Sequence, residues 1–338
     1  MKIDINLSDG RKSTVVVGES IDNLSDYAGN RKITILTDRN VYALYKDRFP
    51  ECRVIIMPGG EKNKTLATVQ SVVAGMIDAG VDRSGYVVGI GGGIVCDLTG
   101  FIASVYMRGV GFGFVSSTLL SQVDASVGGK NGVNCEGYKN MIGVFNQPDF
   151  VICDIDMLGT LPEREFRSGL AEVVKTALIA DADLFRFIEE HVDDVRGKDT
   201  ITDMVYRSVG IKADIVVADE RETGERRKLN LGHTFGHAVE KLSTQYLHGE
   251  AVSIGTAFAA EISRKLGLLS DEETNRIKKL LSDLRLPVEA DIPVDRLTEA
   301  ARKDKKRSDD SVRFVLNAGI GNTEVRKMTF EQLNRLLV

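Results

Sequence analysis

Short apolar runs rich in β-branched residues recur through the first third of the chain, at Ile33 to Thr37, Arg53 to Met57, Tyr86 to Ile90 and Gly113 to Ser116. Between them the apolar positions fall at helical spacing, and the alternation predicts a parallel sheet with crossover helices. Lys2 to Leu7 and Ser13 to Val17 alternate with the strand period around Ser8, Asp9 and Gly10. They predict an antiparallel hairpin added to the sheet. The apolar run Phe150 to Ile155 closes this part.

The pattern then changes. Between Pro162 and Pro287 the chain contains no proline, and Leu170 to Ile179, Asp203 to Val217, Ala251 to Leu266 and Glu272 to Leu284 carry apolar residues at helical spacing. A mainly helical half is expected there. Val312 to Leu316 and Thr323 to Arg326 predict a small late hairpin, and Thr329 the N-cap of a last helix ending near Leu337. The expected boundary gives an α/β domain over 1–158 and a mainly α-helical domain over 159–338.

Composition narrows the function. With 338 residues, 43% hydrophobic and 28% charged, the chain is long enough for two domains with their own cores. A metal is then expected to serve chemistry rather than folding. A net charge of −5 argues against a general nucleic-acid surface. No apolar run approaches the roughly 20 residues of a membrane helix, and the first ten residues contain no apolar signal core, so a cytoplasmic protein is expected. Cys52, Cys96, Cys135 and Cys153 lack CxxC spacing and are expected as reduced thiols.

The candidate chemistry begins with glycine. Twelve of the 33 glycines fall between positions 85 and 132, more than double an even share. In YVVGIGGGIVCDLT a buried strand runs through Gly91, Gly92 and Gly93 into a helix, a turn that lets backbone N–H groups approach a pyrophosphate. The spacing departs from GxGxxG, so this reading stands beside a purely structural turn. Asp38, ending the strand ITILTD, suits either a ribose contact or a turn.

Three of the four histidines lie close together. His233 and His237 in LGHTFGHAVE share a helical face, and His248 follows in LHGEAV. They offer two metal ligands and one acid/base group. Glu172 in SGLAEVVKTAL is the best third ligand, since its apolar neighbours would make an unpaired charge costly, and Lys175 follows on its face. Two imidazoles and a carboxylate leave an open position for a polarised substrate oxygen. Lys130 in SVGGKNG, Lys139 in YKNMIG, and Lys212 and Arg226 around DERE form no stripe and suit a small polyanion. The run Arg302 to Arg307 reads first as a solvated loop.

Taken in order, GGGIVCDLTGF, STLLSQVDASVGGK, GYKNMIGVFNQP, SGLAEVVK, DERETG, LNLGHTFGHA and LHGEAV resemble the 3-dehydroquinate synthases, within the sugar phosphate cyclases. The resemblance runs from about Thr37 to Arg326. It implies a Rossmann-like NAD-binding domain followed by a metal- and substrate-binding domain. The implied enzyme is an NAD- and metal-dependent lyase that makes 3-dehydroquinate and phosphate from 3-deoxy-D-arabino-heptulosonate 7-phosphate in the shikimate pathway.

It further implies Glu172, His233 and His248 as ligands of zinc or cobalt, and His237 as a proton-transfer residue. Asp124, Lys130, Asn140, Lys175, Lys212, Arg226 and Asn230 are implied for the sugar phosphate, with Lys130, Asn140, Lys175, Arg226 and His237 in the chemistry. Arg108 is implied to reach the partner of a homodimer. Asp38, Glu61, Lys64, Gly92, Gly93, Asp97, Ser117, Thr118 and Lys139 match nucleotide positions, and Lys305 or Lys306 a substrate lysine. Cys96, the Ser116 to Thr118 stretch and Thr176 depart from the family pattern. The alternatives are another sugar phosphate cyclase, or a metal-dependent NAD dehydrogenase of a polyol or glycerol phosphate, which would accumulate reduced cofactor.

Overall fold

The computed structural model describes residues 1–7, 10–304 and 310–337. Ser8 and Asp9 of the expected hairpin turn, and both Lys305 and Lys306, lie outside the described residues. The chain divides into two compact units, the first made of Met1–Leu161 with Lys212–Glu220, the second of Pro162–Ile211 with Arg221–Val338.

The first unit is built on strands β1 (Lys2–Asn6), β2 (Lys12–Val17), β3 (Ile33–Asp38), β4 (Arg53–Met57), β5 (Tyr86–Gly91), β6 (Gly111–Ser116) and β9 (Phe150–Cys153) in the order β1-β2-β9-β6-β5-β3-β4. Only β1 and β2 pair antiparallel; β2 also lies parallel to β9, so the hairpin extends a parallel sheet. Every residue of β5 is buried, as expected for a central parallel strand. Ile35, Val88, Ile90, Val115 and Ile152 form the core with Ile21, Leu24 and Met157. Helices α1 (Leu24–Ala28), α2 (Arg39–Tyr45), α3 (Leu66–Asp78) and α4 (Gly93–Val105) connect the strands. Thr65 caps α3 by accepting from the Thr68 N–H.

The apolar pattern had not signalled a second hairpin, β7 (Lys130–Cys135) with β8 (Tyr138–Phe145). Its turn residues Glu136 and Gly137 both have positive φ, 50° and 78°, the geometry of a tight two-residue hairpin turn.

The second unit contains α5 (Glu163–Ala180), α6 (Ala182–Glu190), most of α7 (Lys198–Ala218), α8 (His233–Leu242), α9 (His248–Lys265), α10 (Asp271–Asp283), α11 (Val294–Asp304) and α12 (Phe330–Leu337), with one hairpin of β10 (Ser311–Asn317) and β11 (Thr323–Thr329). Ser270 and Glu273 form a capping box on α10, and the Thr329 hydroxyl accepts from the Gln332 N–H at the start of α12.

Helices α5 and α9 are buried around most of their circumference, from Ser168 to Ile179 and from Ala251 to Ala257, which makes them the centre of this unit. Two glycines of α9 set its neighbours. A Cβ at Gly249 would stand 1.8 Å from the Ser168 carbonyl of α5, and one at Gly255 would stand 1.9 Å from the carbonyl of Gly232, the N-cap of α8. Backbone thus meets backbone on both sides of α9, at spacings no side chain permits.

Candidate functional site

Those close approaches gather the polar groups of the second unit. Glu172 projects from α5, His233 opens α8 and His248 opens α9. Glu172 Oε1 lies 3.4 Å from His248 Nε2 and 3.9 Å from His233 Nε2, and one ligand atom of each residue falls within 4.8 Å of the others. The Glu172 side chain is 1% exposed, and the Lys175 ammonium, one turn along α5 and equally buried, pairs with it. The donor set, one carboxylate and two imidazoles on helices locked by backbone contact, fits a divalent transition ion with coordination positions to spare.

The two imidazoles differ in their electrostatics. Burial pushes His233 down to about 3, aided by the nearby Lys175 charge, so its imidazole is neutral and able to ligate. Burial works against a charge on His248 too, but hydrogen bonds to the Glu172 and Glu240 carboxylates outweigh it and raise the group to about 10. His237 sits edge-on to His233, with ring centroids 5.3 Å apart, and 6.5 Å from His248.

Arg226 is 2% exposed on the turn Glu225–Asn230, and the Asn230 amide donates to the Glu222 carboxylate. A guanidinium this buried is not part of a solvated face.

The first unit gathers a second set. Gly92 caps α4, and a Cβ on it would stand 3.0 Å from the Thr118 methyl, so the glycine turn and Thr118 are neighbours at a helix N-terminus. The Ser117 N–H donates to the Gly91 carbonyl (2.9 Å), and Thr118 and Ser121 bond each other at the start of the next turn. Asp38 Oδ1 accepts from the N–H groups of Asn40 and Val41, capping α2. Lys64, 4% exposed, donates to the Asp97 carboxylate of α4 and to the Asn140 amide oxygen. The Lys212 ammonium donates to the Asp124 carbonyl (2.7 Å) and carboxylate. Lys130, Lys139, Asn140 and Arg108 are exposed. Cys96 is fully buried and its thiol points to the Gly91 carbonyl; burial raises its pKa far above the usual range, so this departure from the family pattern is an inert packing group.

Asp97 yields a test of this geometry. Burial pushes its carboxyl up to about 6, against the pull of Lys64, with Glu61 and Asp124 adding to the rise. An unfolded aspartate titrates near pH ~3.9. Between about pH 4 and 6 the folded chain therefore holds a proton that the unfolded chain releases; this contribution to stability is complete below about pH 4 and lost as pH rises through 6. Asp97→Asn has no such proton to lose. Its thermal midpoint relative to the wild type is expected to climb from about pH 4 and level off above about 6.5. Parallel midpoint curves would contradict the assignment.

Two residues at the site had no place in the sequence reading. Glu240 Oε1 lies 3.4 Å from His248 Nδ1, where a carboxylate orients an imidazole ligand through its second nitrogen. Its signal was present, since Glu240 falls seven residues after His233 and three after His237, on their face of α8. Asn134 of β7 is the other.

The family model for the 3-dehydroquinate synthase N-terminal region matches residues 54–168, and that for the C-terminal region matches residues 169–307. A 3-dehydroquinate synthase of Acidithiobacillus ferrooxidans is 46% identical over 306 residues, covering 87% of this chain and 84% of its own. One from Acinetobacter baumannii is 39% identical over 333 residues, covering 94% and 92%. Among solved structures, 2-epi-5-epi-valiolone synthase from Streptomyces hygroscopicus subsp. jinggangensis 5008, with NAD+ and Zn2+ bound, superposes with a TM-score of 0.88 at 28% identity over 97% of this chain and 95% of its own. A probable glycerol dehydrogenase from Sinorhizobium meliloti 1021 shares the fold at a TM-score of 0.63 and 18% identity, over 96% and 94%.

Proposed function

Because the chain belongs to the 3-dehydroquinate synthase family, its chemistry is that of an NAD- and metal-dependent lyase, and we propose that it forms 3-dehydroquinate and phosphate from 3-deoxy-D-arabino-heptulosonate 7-phosphate. The observation that carries this reading is the buried cluster of Glu172, His233 and His248, paired with a match to the family along both halves of the chain.

When bound, zinc (or cobalt) on Glu172, His233 and His248 supplies polarisation of the substrate's C5 hydroxyl, and NAD supplies a reversible hydride acceptor. The chain's own residues do the rest. His237, beside His233, holds or passes the C5 proton. Lys130, Lys175, Lys212 and Arg226 bind the substrate's carboxylate and phosphate, while Asp124, Asn140 and Asn230 take its hydroxyls. With C5 a ketone, the C6 proton is acidic, and the substrate's own phosphate oxygens remove it as phosphate leaves. C5 is then reduced again, the ring opens, and the residues that fix the open chain select one conformer for aldol closure. Redox change over the cycle is zero.

Asp38, Glu61, Lys64, Gly92, Gly93, Asp97, Ser117, Thr118 and Lys139 hold the nucleotide. The enzyme works as a cytoplasmic homodimer in which Arg108 reaches the partner's phosphate pocket. Met107, next to Arg108, is a large apolar side chain left exposed, which supports a partner surface there. Among the described residues no helix is long and apolar enough to cross a membrane.

The test is one assay with the heptulosonate phosphate, catalytic NAD+ and zinc. Steady phosphate release without lasting NADH absorbance is expected. Stoichiometric NADH would replace this reading with a polyol or glycerol phosphate dehydrogenase, whose fold the chain also shares.

A further inference from the structure

Asn134, on β7 where the strand bulges before its turn, makes four hydrogen bonds in two directions. Its Oδ1 accepts from the Asn140 N–H (2.9 Å), across the hairpin. Its Nδ2 donates to Glu61 Oε1 (2.8 Å) and, more weakly, to the Glu61 carbonyl (3.4 Å). Its own N–H donates to the Lys64 carbonyl (2.8 Å), next to an isolated parallel bridge between Thr65 and Asn134. One side chain thus ties the short helix Glu61–Asn63 to the β7–β8 hairpin.

What it ties matters. Asn140 sits at φ 51°, in the left-handed region that asparagine enters more readily than other side-chain-bearing residues, and the bond from its N–H to Asn134 Oδ1 holds it there. In that conformation its amide oxygen receives the Lys64 ammonium, which also holds Asp97. The Glu61 carboxylate is fixed by the same amide that fixes Asn140.

We infer that Asn134 is a positioning residue that sets the nucleotide-facing Glu61 and the substrate-facing Asn140 in one register, its carbonyl oxygen serving Asn140 and its amide nitrogen serving Glu61. This rests on the roles assigned above to Glu61 and Asn140. The two halves of the amide separate under substitution. Asn134→Ala loses both, so NAD affinity and kcat each fall, by about tenfold, the usual loss when a positioning hydrogen bond is removed. Asn134→Asp keeps an acceptor for Asn140 but sets a carboxylate against Glu61. It is expected to recover kcat at saturating NAD to within about threefold of the wild type while NAD affinity stays about tenfold weak.

The measurement is NAD affinity by titration, with kcat and KM for the heptulosonate phosphate, on the zinc-loaded enzyme, for both variants beside Glu61→Ala and Asn140→Ala. The split between Asp and Ala at Asn134 supports the inference. It is overturned if both Asn134 variants match the wild type while Glu61→Ala loses NAD affinity and Asn140→Ala loses turnover. It is equally overturned if both Asn134 variants lose thermal stability and activity in the same proportion, which is a merely structural role. Silent Glu61→Ala and Asn140→Ala variants would instead remove the assignment on which the inference stands.

Discussion

Replacing Glu172 with Gln is expected to lower kcat/KM by about a thousandfold or more, equivalent to about 4 kcal/mol of transition-state stabilisation, while NAD affinity changes less than about twofold. The substitution conserves shape and removes one charge. Glu172 lies between Lys175 and the two imidazoles with its side chain 1% exposed, so no solvent screens the loss. An amide oxygen is a poorer ligand for a divalent ion than a carboxylate, and metal content after dialysis should fall with activity. The residues proposed to hold the nucleotide belong to the other compact unit, which is why affinity for NAD is the control. Equal loss of NAD affinity and turnover would mean that Glu172 holds the fold rather than the ion.

Lys175→Met is expected to act on stability as strongly as on turnover. In the metal-free protein the variant leaves the Glu172 carboxylate buried without its lysine. Breaking one partner of a buried pair costs about 3–5 kcal/mol; the lower end is expected here because His248, raised to about 10, keeps a second positive group on Glu172. Added zinc supplies a cation at the same carboxylate and should restore a large part of the lost thermal midpoint, more than it raises that of the wild type. Turnover should stay low after zinc is restored, since the ammonium proposed to bind the substrate is gone. Zinc shifts of equal size in variant and wild type would contradict the shared role of Lys175 and the ion on Glu172.

The sheet was legible because β3, β5 and β6 are buried on both faces and carry the β-branched runs that such burial demands. The hairpin β7–β8 was not, because β8 is mostly exposed and its apolar residues Met141, Ile142, Val144 and Phe145 fall on both faces instead of alternating; the turn at Glu136 and Gly137 closes it. In the metal cluster, residue types and spacing pointed to Glu172, His233 and His248, and apolar neighbours marked Glu172 as buried. Pairing was harder to see. Lys175 with Glu172 follows from helical phase, but Lys64 with Asp97 and Asn140, and Lys212 with Asp124, depend on contacts between side chains that sequence separation does not announce, up to 88 residues apart for the last. Glu240 was legible by helical phase once His248 was known to face α8. Asn134 had no signal, for an amide in a polar strand reads the same whether it faces water or ties two loops together.

The central claim is that Glu172, His233 and His248 hold one catalytic dication. Anomalous diffraction at the zinc edge, from crystals of the enzyme loaded with zinc and NAD, tests it most directly. One strong peak at bonding distance from Glu172 Oε1, His233 Nε2 and His248 Nε2 is the expected result. A peak on other residues, or none at full zinc loading of an active enzyme, would contradict the account.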